Sequence, residues 1–281
     1  MPKTLDKMQE IERSIITTYR KTLWSPFVLA VKKYALIQSN DKIAICISGG
    51  KDSMLLAKLM QELKRHSEVP FELVFLVMDP GYNEENRKKI EQNAELLGVP
   101  ITVFESELFD VADTVAGDKP CYLCARMRRG HLYAKAKEFG CNKIALGHHK
   151  SDVIETTLMG MLYGGQIQGM LPRIQSTNFE GMELIRPMYC ILERDIIRWQ
   201  EYNGLEFIAC ACKFTARTVG GDDDIFSARK KVKSLIAKLK EENENVENNI
   251  FQSIHNVQLD TLAEYKTDGK KRSFLEKFEN K

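Results

Sequence analysis

The chain has 281 residues, 43% of them hydrophobic and 28% charged, enough for one large or two small globular domains with an ordinary core. Its net charge is only +2, so any nucleic-acid surface has to come from clustering of the 41 Lys and Arg rather than from their excess. No stretch approaches the roughly 18 uninterrupted apolar residues of a membrane span, and the opening MPKTLDKMQEIERS lacks the apolar core of a signal peptide, so a cytoplasmic protein with no membrane partner is expected.

Residues 4–37 read as helical, with Ile11, Ile15 and Ile16 at helical spacing. DKIAICIS (41–48) reads as a buried strand, and Asp52 to His66 as an amphipathic helix carrying Met54, Leu55, Leu59 and Leu63. FELVFLVMD (71–79) is a second strand, residues 83–98 a helix closed by Gly98, and ITVFES (101–106) a third strand. A turn-rich stretch leads into a helix over 121–140; KIALGH (143–148) is the fourth strand and 151–164 the next helix. Residues 182–210 add shorter strand and helix units. From Asp222 onward the chain reads as helical, with Val246, Ile250, Ile254 and Val257 in one stripe, before a loose charged tail. Alternating strands and helices with near-continuous apolar strands predict an α/β fold, a doubly wound parallel sheet covered on both faces. The expected divisions are an N-terminal helical segment (1–37), an α/β domain (38–215), a C-terminal helical region (216–265) and the tail (266–281). There is no internal repeat.

The junction between the first strand and its helix, ISGGKDS, stops on two glycines. Such a junction presents successive backbone N–H groups to an anion at the positive end of a helix. Gly49 and Gly50 permit close approach and unusual dihedrals, Gly50 being assigned the left-handed one. Ser48 and Ser53 add hydroxyls and Lys51 a countercharge. A tight turn without ligand is the plainer reading of Gly-Gly alone. The loop is not a Walker A motif, because Ile45 and Asp52 stand where that motif needs Gly and Ser or Thr, and it is not a G-x-G-x-x-G fingerprint.

Seven cysteines, an odd number, are poor material for disulfides in a reducing compartment. Cys46, Cys141 and Cys190 read as buried, inert thiols. Cys121/Cys124 and Cys210/Cys212 are pairs, which suggest metal or redox chemistry. At the start of a helix, Cys121 and Cys124 at i and i+3 point the same way, and the helix N-terminus favours the thiolate. Zinc, a dithiol or an iron–sulfur cluster all fit that spacing, and a zinc tetrahedron would take Cys121, Cys124, Cys210 and Cys212 together. Arg126, Arg128 and Arg129 follow at once, a basic face suited to a phosphodiester backbone, although an ordinary solvated face explains charge alone. Gly147 and His148 fall at the carboxyl end of a strand, where open α/β sheets bind ligands. Asp152 and Glu155 lie one turn apart on the next helix, able to orient Mg²⁺ or a nucleotide.

SGGKDS in this strand–helix context resembles the PP-loop of the N-type ATP pyrophosphatases. That resemblance implies that Ser48, Gly49, Gly50, Lys51, Asp52 and Ser53 grip the β,γ-pyrophosphate of ATP, with adenine near Met78 between Val77 and Asp79. With PCYLCARMRRG, GHHKSDVIETTLMGMLYGGQIQGM, RPMYCILERDI and ENENVENNIFQSIHNV in the same order, roughly residues 20–265 resemble the tRNA 2-thiocytidine synthetase (TtcA) family. The resemblance implies an ATP- and Mg²⁺-dependent tRNA sulfurtransferase, acting on C2 of cytidine at tRNA position 32. It also implies a 4Fe–4S cluster held by Cys121, Cys124 and one distant cysteine, with one iron left open to hold sulfur. Gly147, His148 and Asp152 join the nucleotide and catalytic set. A cysteine desulfurase or free sulfide as sulfur donor, and a homodimer, are further expectations.

Two departures from the family matter. Ser151-Asp152 replaces the usual paired aspartates, so only Asp152 carries over. FIACACKFTAR replaces a Pro-Cys-x-x-Cys context, which makes Cys210 the expected third ligand with Cys212 as its rival. Thiolation of a uridine or another acceptor is the nearest alternative, and a zinc-bearing RNA-binding module the alternative of another class. A glutamine-dependent amidotransferase is disfavoured, because no glutaminase domain precedes the loop.

Overall fold

A computed structural model describes residues 5–106, 120–208 and 224–279, giving the backbone alone for 120–128, 224–227, 277 and 279. Helix α1 (Lys7–Ile16) opens with a capping box. The Asp6 carboxylate accepts from the Gln9 N–H at 2.8 Å while the Gln9 side chain accepts from the Asp6 N–H at 3.2 Å. One π-helical turn, Arg20–Trp24, leads into α2 (Ser25–Lys33), which has Pro26 in its first turn. Ile11 and Ile15 are fully buried, whereas Ile16 packs at the margin of the same cluster.

The six-stranded sheet runs in the order β3 (Ile101–Glu105), β2 (Phe71–Asp79), β1 (Asp41–Ile47), β4 (Lys143–Ala145), β6 (Glu183–Ile185), β5 (Arg173–Gln175). Every neighbouring pair is parallel except β5–β6. The doubly wound parallel sheet is therefore present with one antiparallel edge strand, which the sequence reading left out. Three residues alternating against polar neighbours give too short a period to read.

Side-chain alternation along the strands explains the two covered faces. Ile43, Ile45 and Ile47 of β1, with Phe75 and Val77 of β2, point to one side, where they pack on α3 (Lys51–His66) through Met54, Leu55 and Leu59. Ala44, Cys46, Leu76 and Met78 point to the other, against Leu132, Tyr133 and Ala136 of α5 (Pro120–Glu138). Helix α4 (Glu84–Leu96) is capped by the Asn83 side chain and ends at Gly98, whose φ of +61° suits the glycine expected there. Burying a Leu or Ile of this set contributes on the order of 2 kcal/mol each, so the paired faces fix the sheet between its helices.

At the amino edge of the sheet, the Lys143 ammonium is 1% exposed and lies 2.7 Å from Asp41 and 3.3 Å from Glu183. It also donates to the Leu36 carbonyl at 3.1 Å. One cation thus ties β1, β4 and β6 together at the end remote from the glycine loop.

Helices α6 (Lys150–Gly164), α8 (Asp224–Glu242) and α9 (Val246–Ser253) share a third cluster, with Val153, Ile154, Val232, Ile236 and Phe251 buried. The expected stripe on α9 is displaced: Phe251 is its buried residue, Ile250 and Ile254 flank it, and Val257 is 45% exposed beyond the helix end. The segment read as a loose charged tail holds part of a hairpin, β7 (Glu264–Thr267) with β8 (Lys270–Ser273), followed by α10 (Glu276–Glu279). Asp268 and Gly269 both take positive φ, 50° and 73°, as a two-residue hairpin turn requires. Among the described residues no helix is long and apolar enough to cross a membrane.

Candidate functional site

The carboxyl ends of β1, β2 and β4 meet on the α5 side of the sheet around a cavity of about 500 Å³. Ser48, Asp52 and Ser53 of the glycine loop line it together with Met78 at the end of β2. Gly147 and His148 follow β4, and Asp152 and Arg129 reach it from α6 and α5. Eight residues that the sequence singled out for two different tasks therefore share one space. Cys46, Ile47, Leu132 and Leu146 complete the wall and were not anticipated as site residues. They are strand-end and helix-face positions whose apolar character reads only as core.

The loop holds its shape through Ser53, whose hydroxyl donates to the Gly50 carbonyl at 2.9 Å and accepts from the Ser48 N–H at 3.2 Å. Gly49, not Gly50, takes the left-handed conformation, with φ of +84°. A Cβ on Gly49 would lie 2.5 Å from Ile90 Cγ1 and 2.7 Å from Ile208 Cδ1. Gly50 has φ of −81°, an extended conformation open to any residue, and a Cβ there meets nothing nearer than 3.7 Å. The assignment of the left-handed backbone to Gly50 is thereby corrected. Gly50 instead serves as N-cap of α3, leaving the first N–H groups of that helix without intrahelical partners and facing the loop's concavity. Gly147 is needed for a different reason: a Cβ there would sit 3.1 Å from the Asp52 carbonyl carbon and 3.2 Å from the Ser53 nitrogen. The strand-end loop touches the backbone of α3.

Electrostatics divide the site in two. The Lys51 ammonium is held by Asp52 at 3.2 Å and Glu193 at 3.1 Å. Burial works against its charge, but those two carboxylates outweigh it and raise its pKa. Glu193, at the start of α7 (Glu193–Tyr202), is opposed by burial in the same way, yet Lys233 and Lys51 pull its carboxyl down to about 2. His148 goes the other way: burial, with Arg186, His149 and Arg229 nearby, pushes its ring down to about 4, only partly countered by Asp152. Its Nδ1 is buried with no hydrogen-bond partner.

His149 caps α6. Its N–H donates to Asp152 Oδ2 at 3.0 Å, and its Nδ1 accepts from the Asp152 N–H at 3.3 Å. This reciprocal cap pins the Asp152 carboxylate at the cavity, where Oδ1 also accepts from Arg229 at 3.3 Å. Glu155, one turn on, does not share the site. It lies in a second, smaller groove of about 260 Å³ beside Glu193 and Lys233, 3% exposed, with burial raising its pKa. The expected Asp152/Glu155 pair is thus split between two surfaces. Glu193, Arg229 and Lys233 were not foreseen as site residues; Glu193 falls within the RPMYCILERDI stretch that carries the resemblance, whereas no local signal marks Arg229 or Lys233.

Cys121, Cys124, Arg126 and Arg128 belong to α5, of which the structure describes the backbone at those positions; Cys210 and Cys212 lie outside the described residues. Two backbone facts bear on them. Arg129 lines the cavity from the same helix, and at the α-helical rise of about 1.5 Å per residue Cys124 is about 8 Å along the axis from it. The chain enters 209–223 from Ile208, whose carbonyl faces Gly50, and leaves it into α8, whose Arg229 reaches Asp152. Of the three cysteines read as buried thiols, Cys46 and Cys141 are buried, burial pushing the Cys141 thiol up to about 11, although Cys46 also lines the cavity; Cys190 is only half-buried.

A PP-loop domain is matched over residues 23–212. The chain is 34% identical over 231 residues to the tRNA-cytidine(32) 2-sulfurtransferase of Geobacter sulfurreducens, covering 82% of this chain and 87% of that protein. It is 38% identical over 186 residues to the enzyme of the same name from Neisseria meningitidis serogroup C, covering 64% of this chain; the match spans 57% of that longer protein. Among solved structures, the U34-tRNA thiolase NcsA from Methanococcus maripaludis with its [4Fe-4S] cluster is similar in fold, with a TM-score of 0.65 at 20% identity, covering 86% of this chain and 80% of that one.

Proposed function

Because this chain belongs to the PP-loop domain family and, within it, to the tRNA 2-thiocytidine synthetase (TtcA) family, we propose that it is an ATP-dependent tRNA sulfurtransferase acting on cytidine 32. The observation that carries this reading is a shared wall. The cavity bounded by the phosphate loop and Asp152 is also bounded by the helix that bears Cys121 and Cys124. ATP activation and sulfur delivery would then meet in one place.

In this reading the N–H groups at the start of α3, with Ser48, Ser53 and Lys51, hold the β,γ-pyrophosphate of ATP, and adenine lies by Met78. The cytidine O2 attacks the α-phosphorus and the α–β phosphoanhydride bond breaks. Pyrophosphate leaves, and C2 carries an AMP leaving group that sulfur then displaces. Asp152 would hold Mg²⁺, whose positive charge would offset the charge developing on the phosphates. His148, kept neutral by burial, hydrogen-bonds without adding positive charge. Gly147 lets the strand-end loop rest on the backbone of α3, which keeps His148 beside the phosphate loop, and Arg126, Arg128 and Arg129 contact the tRNA backbone.

The donor chemistry fits an iron–sulfur cluster: two cysteines at i and i+3 near the start of α5 share a face, and the third, Cys210 or Cys212, follows Ile208, whose carbonyl faces Gly50, and precedes α8, whose Arg229 reaches Asp152. When bound, a 4Fe–4S cluster with three protein thiolates supplies an iron with an open position for sulfur. The protein acts in the cytoplasm as a homodimer and takes sulfur from a cysteine desulfurase or from free sulfide.

The test is twofold. Nucleoside mass spectrometry of tRNA from a strain lacking the gene should show 2-thiocytidine missing; its persistence would overturn the reading. Protein purified anaerobically should contain iron and labile sulfide, and stoichiometric zinc without sulfide would replace the sulfurtransferase with an RNA-binding module. Cys210→Ala and Cys212→Ala variants should separate the third ligand, with Cys210 expected to be the one whose loss empties the site.

A further inference from the structure

His149 does more than cap α6. Its ring is buried, 4% exposed, and stands against two carboxylates that line the cavity from different elements, Asp52 on α3 and Asp152 on α6. Nδ1 accepts from the Asp152 N–H at 3.3 Å, so the neutral ring carries its proton on Nε2. Nε2 lies 3.8 Å from Asp52 Oδ1, beyond hydrogen-bond reach. That same oxygen is buried and has no hydrogen-bond partner among the described residues. The other oxygen of Asp52, Oδ2, accepts from the Lys51 ammonium at 3.2 Å. Asp52 is therefore held by a cation on one side, while on the other a donor stands about 1 Å short of contact.

An anion in the loop changes this balance. Lys51 is the one cation of SGGKDS, so a polyphosphate seated there draws its ammonium. Asp52 then loses its partner and faces like charge, with one oxygen already buried and unsatisfied. The His149 Nε2–H is the donor placed to take it. The backbones on both sides of the gap are fixed. The loop at Gly147 rests on the first turn of α3, within 3.1 Å of the Asp52 carbonyl carbon for a Cβ built there, and the reciprocal cap with Asp152 holds His149. Rotation of the Asp52 side chain alone closes the distance. Hydrogen bonds of a site are commonly long without ligand and tighten when it binds.

We propose that His149 is a positioning residue of the nucleotide site: when a polyphosphate takes Lys51, Asp52 exchanges the ammonium for the His149 Nε2–H. The inference rests on the loop binding the polyphosphate of ATP. No proton is transferred and no covalent bond changes; a hydrogen bond replaces an ion pair. The exchange also ties occupancy of the loop to α6, because the ring that receives Asp52 is the ring that orients Asp152.

The experiment uses anaerobically prepared full-length protein: wild type, His149→Asn, Asp52→Ala and the double variant. Asparagine is among the best helix caps and keeps an acceptor for the Asp152 N–H, but it is too short to reach Asp52. Each protein is melted without nucleotide and titrated calorimetrically with a non-hydrolysable ATP analogue. His149→Asn should melt within a few degrees of wild type and bind the analogue about tenfold more weakly. Asp52→Ala keeps Ser48, Lys51, Ser53 and the backbone N–H groups and should still bind measurably. In that background His149→Asn should change affinity by less than about twofold, while without nucleotide the two substitutions should add in their effect on melting. A residue needed only for folding would not produce a coupling that appears with nucleotide alone. The same tenfold loss in both backgrounds overturns the inference, as does unchanged affinity in His149→Asn. Loss of all binding in Asp52→Ala overturns it too, because the nucleotide would then use the carboxylate directly. A His149→Asn protein that does not fold makes the ring a structural support and likewise overturns it. Wild-type protein that binds no ATP analogue would defeat the sulfurtransferase reading itself, a result distinct from a missing coupling.

Discussion

The Lys51 ammonium lies 3.1 Å from the Glu193 carboxylate across 142 residues of chain, and Lys233 donates to the same carboxylate at 2.8 Å. The phosphate loop is therefore tied to α7 and, through Lys233, to α8. An anion in the loop has to share Lys51 with Glu193. Glu193→Gln should free the ammonium and remove a nearby negative charge, tightening ATP-analogue binding by about threefold. It should also lower the melting temperature by a few degrees, because Lys51 and Lys233 lose their common partner. Calorimetric titration decides the point: weaker binding in the variant would mean that Glu193 presents Lys51 to the phosphate rather than competing for it.

The same site makes the fold sensitive to acid in two steps. The ordinary His148 value is 6.5 and burial lowers it to about 4 in the folded protein. Below pH 6.5 the unfolded chain takes up a proton that the folded one refuses, so stability falls as pH drops from 6.5 toward 4. Glu193 is depressed from 4.5 to about 2, so its contribution is fully present above pH 4.5 and is lost as pH falls from there toward 2. Each step is bounded by about 3 kcal/mol, less whatever solvent screens. Urea unfolding at a series of pH values checks both: His148→Gln should flatten the upper limb and Glu193→Gln the lower. A wild-type profile with no slope between pH 6.5 and 4 would contradict the neutral His148.

Gly49 and Gly50 should fail in different ways. Gly49 combines φ of +84° with Ile90 and Ile208 inside 3 Å of a Cβ, so Gly49→Ala should cost about 1–3 kcal/mol of stability and displace Ile208. Gly50→Ala meets only ordinary contacts and should stay within about 1 kcal/mol of wild type. Its Cβ would enter the space reserved for the phosphates, so ATP binding should weaken while the fold survives, and Gly50→Val should abolish AMP and pyrophosphate formation. Unchanged turnover in Gly50→Val would remove the pyrophosphate from the loop.

The parts legible in the sequence were those governed by local rules. β1, β2 and α3 were readable because unbroken apolar runs meet Gly-Gly, and the strand-end positions of Gly147 and His148 followed from the same alternation. The hairpin at the C-terminus carried its signal, Asp268-Gly269, but the flanking residues are charged rather than alternating apolar, so the turn read as part of a tail. Which of two adjacent glycines takes positive φ depends on Ile90 and Ile208, far away in sequence. Spacing of i and i+3 placed Asp152 and Glu155 one turn apart, but only the His149 cap decides that Asp152 faces the cavity. Arg229 and Lys233 become site residues through tertiary approach alone, and Glu193, although it lies in the RPMYCILERDI stretch, is brought to Lys51 in the same way.

The two edges of the sheet offer a final contrast. At the amino edge, Lys143 is buried between Asp41 and Glu183 and touches none of the residues that line the cavity. Lys143→Met leaves two carboxylates buried without their cation, which should cost about 3–5 kcal/mol. Arg173 still holds Glu183 at 2.6 Å, and Asn142 still donates to Asp41 at 2.7 Å, so the sheet should re-form in the destabilised protein rather than fail to fold. Since β1 and β4 keep their register up to the carboxyl edge through Ile43, Ala44 and Ile45, affinity for an ATP analogue at low temperature should match wild type. Chemical denaturation and nucleotide titration on the same sample test the separation. A variant that loses stability and nucleotide affinity together would mean that the amino-edge cation shapes the site through the strands, and that the two edges are not independent.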